Sequence, residues 1–453
     1  METRERTIVA ISTAIGNGGI SIIRMSGSNC LNIADRVFSS KNILPSQFEP
    51  RKLYLGTFKY NDISDRCLCV YFKAPNSFTG EDIIEFQIHG GITLTNCIYQ
   101  ALVEIGCTPA TKGEFSKLAF LNGKLSLDEA EGIIDIINAE SESEIKAGYN
   151  LMEGGLRSQI ETIQNNLTEL LAKIEVTLDY PEEDLEIETK DNINLNLNST
   201  LNTMQDILKT SSYGRYIKDG LKILIFGKTN AGKSSLLNSL LNYNRAIVTD
   251  IQGTTRDTLE ETFIYKGHKF VLIDTAGIRD SIDIVENIGI DKSKEMLKSA
   301  DIVLFIVDNS RELDSNDYDI ISLLSDKKVI VVVNKCDLEN KADLSQIPFK
   351  DVISISTATG ENIEELKEKL LQFVISTNTN NNSVVITNTR HINALKDAIT
   401  HCKTALKSLN DNNLLDLVSI DIKNIWLSLG DITGNSDNEK IIDDIFDKFC
   451  VGK

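Results

Sequence analysis

A chain of 453 residues, 41% apolar and 25% charged, has the length of about three ordinary domains and enough apolar material to bury a core in each. Its 47 Lys and Arg stand against 66 Asp and Glu, and the formal charge of −19 excludes a generally basic nucleic-acid binder while leaving room for a local one. No apolar run approaches the ~20 residues of a membrane span, no signal-like apolar core opens the chain, and eight dispersed cysteines without a Cys-x-x-Cys pair offer no zinc framework and read as reduced cytoplasmic thiols.

Taken in chain order, residues 1–125 carry 13 basic and 11 acidic side chains and read as mixed α and β. Ile8–Ser12, Ile20–Met25 and Ile83–Ile88 are short β-branched runs, and Thr93–Ile105 has helical spacing. Residues 126–216 carry 6 basic and 19 acidic side chains, so most of the acidity lies here. Leu156, Ile160, Ile163, Leu167, Leu170 and Ile174 form one apolar helical stripe; Pro181 then interrupts, and Glu182, Glu183 and Asp184 read as a solvated loop. Residues 217–375 alternate strand and helix, with buried-type strands at Leu221–Phe226, Phe270–Asp274, Ile302–Val307 and Val329–Val333, which predicts a parallel sheet covered on both faces. The Asn/Thr tract Thr377–Ser383 reads as a linker, and helical spacing resumes around Leu395, Ile399, Leu406 and Leu409. Helices on both sides of an α/β unit suggest one helical domain interrupted by an insertion. The expected fold is therefore multidomain: an α+β domain at 1–125, a discontinuous α-helical domain at 126–216 plus 376–453, and an inserted α/β domain at 217–375.

The inserted segment carries the chemistry. Strand Leu221–Phe226 runs into Gly227-Lys-Thr-Asn-Ala-Gly-Lys233-Ser234 and then an apolar helix, the strand–loop–helix setting of a phosphate-binding loop. Its glycines allow backbone N–H groups to curl around phosphates, Lys233 adds a point charge, and the Ser234 hydroxyl suits magnesium. Asp274-Thr275-Ala276-Gly277 follows a strand, as a sensor of magnesium and the γ-phosphate should. Asn334-Lys335-Cys336-Asp337 follows another; an Asp there accepts both the N1–H and the exocyclic amine of guanine, a donor pair adenine lacks, so GTP is expected over ATP. Ser356-Thr357-Ala358 occupies the position of guanine-loop backbone contacts, and Thr255, within Gly253-Thr-Thr-Arg-Asp257, is the candidate second magnesium hydroxyl.

Two features bear on mechanism. Ile278 follows Gly277, where many GTPases place a Gln that orients the attacking water, so another group must do so. No arginine finger is evident beyond Arg256 and Arg279, which qualify by location alone, yet developing negative charge needs a cation. Asn230 offers a carbonyl oxygen for a monovalent cation; equally, it is a loop residue satisfying backbone donors.

Four separate stretches resemble the MnmE (TrmE) family of tRNA-modification GTPases, and together they cover essentially the whole chain. They are the Gly253–Asp257 switch with an apolar residue after Asp274–Gly277; Ser77-Phe-Thr-Gly-Glu81-Asp with His89-Gly-Gly91; Phe115-Ser-Lys-Leu-Ala-Phe-Leu-Asn-Gly-Lys124 with Tyr180-Pro-Glu-Glu-Asp184; and Leu429-Gly-Asp-Ile-Thr-Gly434 with the terminal Phe449-Cys-Val-Gly-Lys453. The resemblance implies a folate-binding, dimerising N-terminal domain, a helical domain and an inserted GTPase domain. It implies a homodimer that works in a heterotetramer with the flavoprotein MnmG (GidA) to install a carboxymethylaminomethyl or aminomethyl group on carbon 5 of the wobble uridine of tRNA, in the cytoplasm and without a membrane. Its cofactors are GTP, Mg2+, K+ and 5-formyl- or 5,10-methylene-tetrahydrofolate.

Carried over residue by residue, the GTP contacts implied are Asn230, Ala231, Gly232, Lys233, Ser234 and Ser235; Thr249, Asp250, Ile251, Gln252, Gly253, Thr254 and Thr255; Asp274, Thr275, Ala276 and Gly277; Asn334, Lys335 and Asp337; and Ser356, Thr357 and Ala358. Ser234 and Thr255 are the magnesium ligands, and Asn230, with Thr249, Ile251 and Thr254, holds potassium in place of an arginine finger. Glu286 joins Lys233 and Asn230 as catalytic; without the resemblance it is the first-turn acid of a helix. Folate contacts fall on Arg24, Glu81, Lys124 and Lys453, basic groups for carboxylates and an acid for the amidine-like pterin edge. Cys450 reads as a reactive thiol or, more blandly, a buried structural cysteine. Thr229, Lys112, Leu118, Val451 and Thr357 depart from the family pattern, and Leu118 is expected to weaken a polar contact. Rival readings are a GTP-switched ribosome-assembly factor, which lacks its RNA module here, and a GTPase of membrane transport, which lacks its spans.

Overall fold

The computed structural model describes residues 6–179, 183–241, 260–273, 296–378, 384–411, 415–434 and 439–452, with only the helical backbone for 183–189 and 439–441. They fall into two units, one drawn from Met1–Ile134, Asn150–Ala172 and Ile422–Lys453, the other from Asp135–Tyr149 and Lys173–Asp421.

Period-two alternation builds the first unit. Its strands are β1 (Ile8–Ile11), β2 (Ile20–Ser26), β3 (Phe38–Ser39), β4 (Leu53–Tyr60), β5 (Ile63–Phe72), β6 (Ile83–His89) and β7 (Thr108–Pro109), arranged β3-β4-β5-β6-β2-β1-β7. Every pairing is antiparallel except β1 with β7. Ile23 pairs with Phe86 and Met25 with Ile84, and these residues pack into one core with residues of the helices Cys30–Val37 and Ile92–Ile105. Full burial of each such side chain stabilises by about 1.5–3 kcal/mol. The alternate positions, Arg24 opposite Glu85 among them, therefore face the other side. There Ile8 and Ala10 pack against Phe115 of the helix Glu114–Leu121. A further cluster joins Leu127 and Ala130 to Ile445, Phe446 and Phe449, and Lys112 bridges to Val451, so the C-terminal segment lies against the start of that helix.

The second unit holds a six-stranded sheet, β13-β12-β11-β8-β10-β9, of β8 (Leu221–Gly227), β9 (Glu260–Tyr265), β10 (His268–Ile273), β11 (Ile302–Asp308), β12 (Val329–Asn334) and β13 (Asp351–Ser354). Apolar side chains bury on both faces: Ile223, Ile225, Leu304 and Ile306 in one cluster, Leu224, Val303, Phe305 and Val307 in the other. That two-sided burial is why these strands read as near-continuous apolar runs. The four strands expected from the sequence, β8, β10, β11 and β12, run parallel, and an edge strand that the sequence did not single out, β9, runs antiparallel to β10. Lys266 and Gly267 join them with φ of 46° and 79°, the left-handed pair that a tight hairpin turn requires.

The predicted helical stripe is real: Leu156, Ile160, Ile163, Leu167, Leu170 and Ile174 are all buried in the helix Gly155–Asp179. The helix Glu183–Lys209 packs against Thr389–Asn410, where Cys402 donates to the Leu197 carbonyl at 3.4 Å. Glu183 and Asp184 open that first helix and are not loop residues as the sequence suggested, while Pro181 and Glu182 lie outside the described residues. Of the supposed linker, residues 379–383 lie outside the described residues. No described helix is long and apolar enough to cross a membrane.

Gly113 has φ of 63°, and a Cβ there would meet the Phe446 carbonyl oxygen at 2.3 Å. Gly113→Ala should therefore cost roughly 1–3 kcal/mol, through backbone strain and displacement of the C-terminal segment. A lowered urea midpoint at unchanged slope is the expected result.

Candidate active site

The strand order of the second sheet reverses at β8, with β10 on one side and β11 on the other, and such a switch point opens a crevice at the carboxyl ends of the strands. β8 ends there in Gly227, whose absent Cβ would meet the Ile306 carbonyl oxygen at 2.6 Å. The chain then passes through Asn230 at φ 63° and Gly232 at φ 101° into the helix Lys233–Leu241. Asn230, Ser234 and Ser235 are exposed, Ala231 is buried, and Lys233 lies between. The Lys233 ammonium donates to the carbonyls of Gly227 at 2.7 Å and Lys228 at 2.6 Å, and burial draws its pKa below the ordinary lysine value. A cation and a helix N-terminus converge on one loop, an arrangement suited to an anion.

β12 ends in Asn334, which is 1% exposed. Its Nδ2 donates to the Ala231 carbonyl at 2.9 Å, and its Oδ1 accepts from the Thr357 N–H at 3.1 Å. One amide thus joins the phosphate loop to the Ser356–Ala358 loop. Gly232 is dictated by the same contact, since a Cβ there would lie 2.0 Å from Asn334 Nδ2. Lys335, at φ 65°, sends its Nζ to Asp308 Oδ2 at 2.6 Å. Asp337 and Ala358 are exposed, while Ser356 is buried and its hydroxyl accepts from the Thr359 N–H at 3.2 Å. Sequence reading missed Asp308. Burial alone would raise its carboxyl, but hydrogen bonds from Lys335 and Ser310 outweigh that and leave the pKa lowered. The available signal was a lone acid at the carboxyl end of a strand beside the switch point.

Thr249, Asp250, Ile251, Gln252, Gly253, Thr254, Thr255, Asp274, Thr275, Ala276, Gly277, Glu286 and Lys453 lie outside the described residues, as do Arg256, Ile278 and Arg279.

In the first unit, Arg24 Nε donates to Glu85 at 2.7 Å, and its guanidinium lies 5.8 Å from the Phe78 ring and 5.7 Å from the Phe115 ring. Ser26, two residues along the same face, donates to Glu81 at 2.9 Å. Gly80, at φ 80°, comes so close to Lys124 that a Cβ would sit 3.3 Å from its Cε. Arg24, Glu81 and Lys124 are thus gathered around the loop 77–82. The C-terminal segment runs past the end of β1, where the Ser12 hydroxyl donates to the Gly452 carbonyl at 3.1 Å.

Comparison with known proteins finds two family matches. The family described as "GTP-binding protein TrmE N-terminus" matches residues 7–124, and "MnmE helical domain" matches 127–450. The tRNA modification GTPase MnmE of Clostridioides difficile (strain 630) is 42% identical over 456 residues, 99% of each chain. The chain belongs to the MnmE (TrmE) family. A second member, from Desulforamulus reducens, is likewise 42% identical over 99% of each chain. Among solved structures, the G domain of the T. maritima FeoB iron transporter is 28% identical over 34% of this chain and 98% of that one, at a TM-score of 0.26.

Two of the expected departures from the family pattern are accommodated locally. Leu118 joins the apolar cluster of Ile8, Ala10, Ala110 and Phe115, so packing occupies its position. Thr357 takes part through its backbone N–H, which any residue but proline supplies. Cys450 is exposed, which corrects the expectation of a buried structural cysteine; its carbonyl accepts from the Gly113 N–H at 3.4 Å.

If Asp337 accepts the guanine donor pair as the sequence predicts, Asp337→Ala should weaken GTP binding by about a hundredfold and erase preference over ATP. Titration with fluorescent GTP and ATP analogues reads this directly; retained preference would remove Asp337 from base recognition.

Proposed function

We propose that this chain is a potassium-activated GTPase that works with a flavoprotein partner to modify carbon 5 of the wobble uridine of tRNA in the cytoplasm. Family membership makes it a GTP-hydrolysing enzyme of tRNA modification. The observation that carries the reading is the match to MnmE over 99% of both chains, which spans both units and both groups of candidate residues.

In the second unit, the loop from Asn230 to Ser235 fits the phosphates: it turns through a left-handed Asn230 and a Gly232 that admits no Cβ, and it keeps Lys233 at its centre. Ser234 and Thr255 would hold magnesium, and Asp274–Gly277 would face the γ-phosphate. Asn334, Lys335, Asp337 and the Ser356–Ala358 loop would read guanine. Asn230, Thr249, Ile251 and Thr254 would hold potassium, which supplies positive charge where an arginine finger otherwise would. Glu286 would orient the attacking water.

In the first unit, Arg24, Lys124 and Lys453 would bind the folate carboxylates and Glu81 the pterin edge, with tetrahydrofolate supplying the carbon. The gathering of Arg24, Glu81 and Lys124 about one loop suits a ligand that is anionic at one end and amidine-like at the other. Dimerisation through domain 1–125, the discontinuous helical domain 126–216 plus 376–453, the inserted GTPase domain 217–375, and association with MnmG belong to the same proposal. So does the cytoplasmic setting, which agrees with eight free cysteines.

The deciding experiment is nucleoside mass spectrometry of tRNA from cells lacking the gene. The 5-substituted wobble uridine should disappear and return on complementation; its persistence would refute the assignment. Hydrolysis by the purified protein should also be at least about tenfold faster in potassium than in sodium, because charge stabilisation is lost with the fitted ion. Equal initial rates of phosphate release would eliminate the cation role.

A further inference from the structure

The phosphate loop carries a second lysine that the reading above leaves unused. Lys228 follows Gly227, and its side chain is only 9% exposed. Its ammonium donates to Asp317 Oδ2 at 2.7 Å and also pairs with Asp314. These two acids form the capping box of the helix Ser315–Leu323: Asp314 Oδ1 accepts from the Asn316 N–H at 2.9 Å, and Asp317 Oδ2 accepts from the Asp314 N–H at 3.0 Å. Asp317 is 2% exposed, and Arg311 stands 3.9 Å from its other oxygen. An exposed pair of this kind would be worth little, but a buried one is costly to break, because the remaining partner keeps an uncompensated charge.

The backbone of the same lysine serves the site. Its carbonyl, with that of Gly227, accepts from the Lys233 ammonium. One residue thus links an acceptor of Lys233 to the helix Ser315–Leu323, which follows β11, the strand beside β8. With two carboxylates on it, the Lys228 charge is already matched, so its contribution to the loop is one of position.

We propose that Lys228 is a positioning residue for nucleotide binding, held by Asp314 and Asp317, and that the capping box of Ser315–Leu323 acts as the anchor of the phosphate loop. The proposal rests on the GTP reading of that loop and adds to it a pair of residues, Lys228 and Asp317, whose effect on affinity must pass through each other.

The test compares Lys228→Met, Lys228→Arg, Asp317→Asn and the Lys228→Met/Asp317→Asn double variant in the full-length protein. KM and kcat for GTP hydrolysis, affinity for a fluorescent GDP analogue, and thermal melting would be measured in each. Asp317→Asn keeps an oxygen to cap the helix while removing the charge. Each single loss should raise KM and weaken GDP binding by about tenfold, with kcat changing less than KM. The double variant should be no worse than the worse single one, and Lys228→Arg should restore binding to within about twofold of the parent. A staple that merely stabilises the fold would lower the melting temperature and leave KM unchanged, and that outcome in Asp317→Asn or Lys228→Met overturns the proposal. Multiplying effects in the double variant overturn it as well. Should Lys228→Met fail to fold, Asp317→Asn and Lys228→Arg still decide it. A parent protein that neither binds GDP nor hydrolyses GTP would instead defeat the GTP reading, which keeps the two failures apart.

Discussion

The candidate nucleotide site depends on one buried amide. Asn334 donates to the phosphate loop at Ala231 and accepts from the Ser356–Ala358 loop at Thr357, so the two loops share a single side chain. The constraint propagates. Gly232 must lack a Cβ to admit the amide, and the Cys336 N–H in turn bonds the Ile355 carbonyl. A buried amide left with one unmet group costs about 1–3 kcal/mol, so the loops gain little by separating. Asn334 and Asp308 also occupy paired register positions at the ends of β12 and β11, which puts the acceptor for Lys335 on the neighbouring strand. Preorganisation of the site is thus a property of strand ends in register, with the loops fitted to them.

That register is stiff because the strands are buried on both faces. Ile306 and Val307 belong to opposite apolar clusters, and a one-residue slip of β11 would exchange them. The same slip would carry Asp308 away from Lys335, and Ile306 from its partner Gly227. Packing energy far larger than any single polar contact therefore maintains the geometry of the polar contacts.

Legibility in the sequence followed locality. The stripe from Leu156 to Ile174 was readable because only a helix puts steps of four and three on one face, and all six residues are buried. β8, β11 and β12 were readable because burial on both faces leaves unbroken apolar runs. β4 was not: Leu53 and Leu55 are 53% and 51% exposed, so its alternation carries no simple inside–outside signal. β9, at the edge, opens with two glutamates and owes its place to the Lys266-Gly267 turn and its pairing with β10. At the site, Gly227, Lys233, Asn334 and Asp337 stood in motifs whose spacing is itself the chemistry. Asp308 and the Lys228–Asp317 pair are unions across 27 and 89 residues, and nothing in either local sequence announces its partner. The exposure of Cys450 likewise follows from where the C-terminal segment lies, not from its neighbours in sequence.

The first unit shows how the same logic builds a charged site on a sheet. Alternation puts Arg24 and Ser26 on the face away from the main core, and Arg24 meets Glu85 directly across the ladder. An arginine suits this position where a lysine would not, since its planar fork can bond the carboxylate while the rings of Phe78 and Phe115 lie within 6 Å of its carbon. Glu81 is then set from three elements at once: Ser26 on β2 donates to its carboxylate, buried Thr79 receives its N–H at 3.2 Å, and Asn122 beyond the helix Glu114–Leu121 donates to the Thr79 carbonyl at 2.6 Å. Because Lys124 follows Asn122 by two residues, the hydrogen bond that steadies Glu81 also brings the lysine alongside Gly80. Polar contacts fix the acid, while Arg24 meets this irregular loop through the Phe78 ring and Lys124 through its close approach to Gly80. The overall charge of −19 says nothing about such a place: within 1–125 the balance is 13 basic to 11 acidic, and around this loop Arg24 and Lys124 stand among Glu81, Asp82 and Glu85.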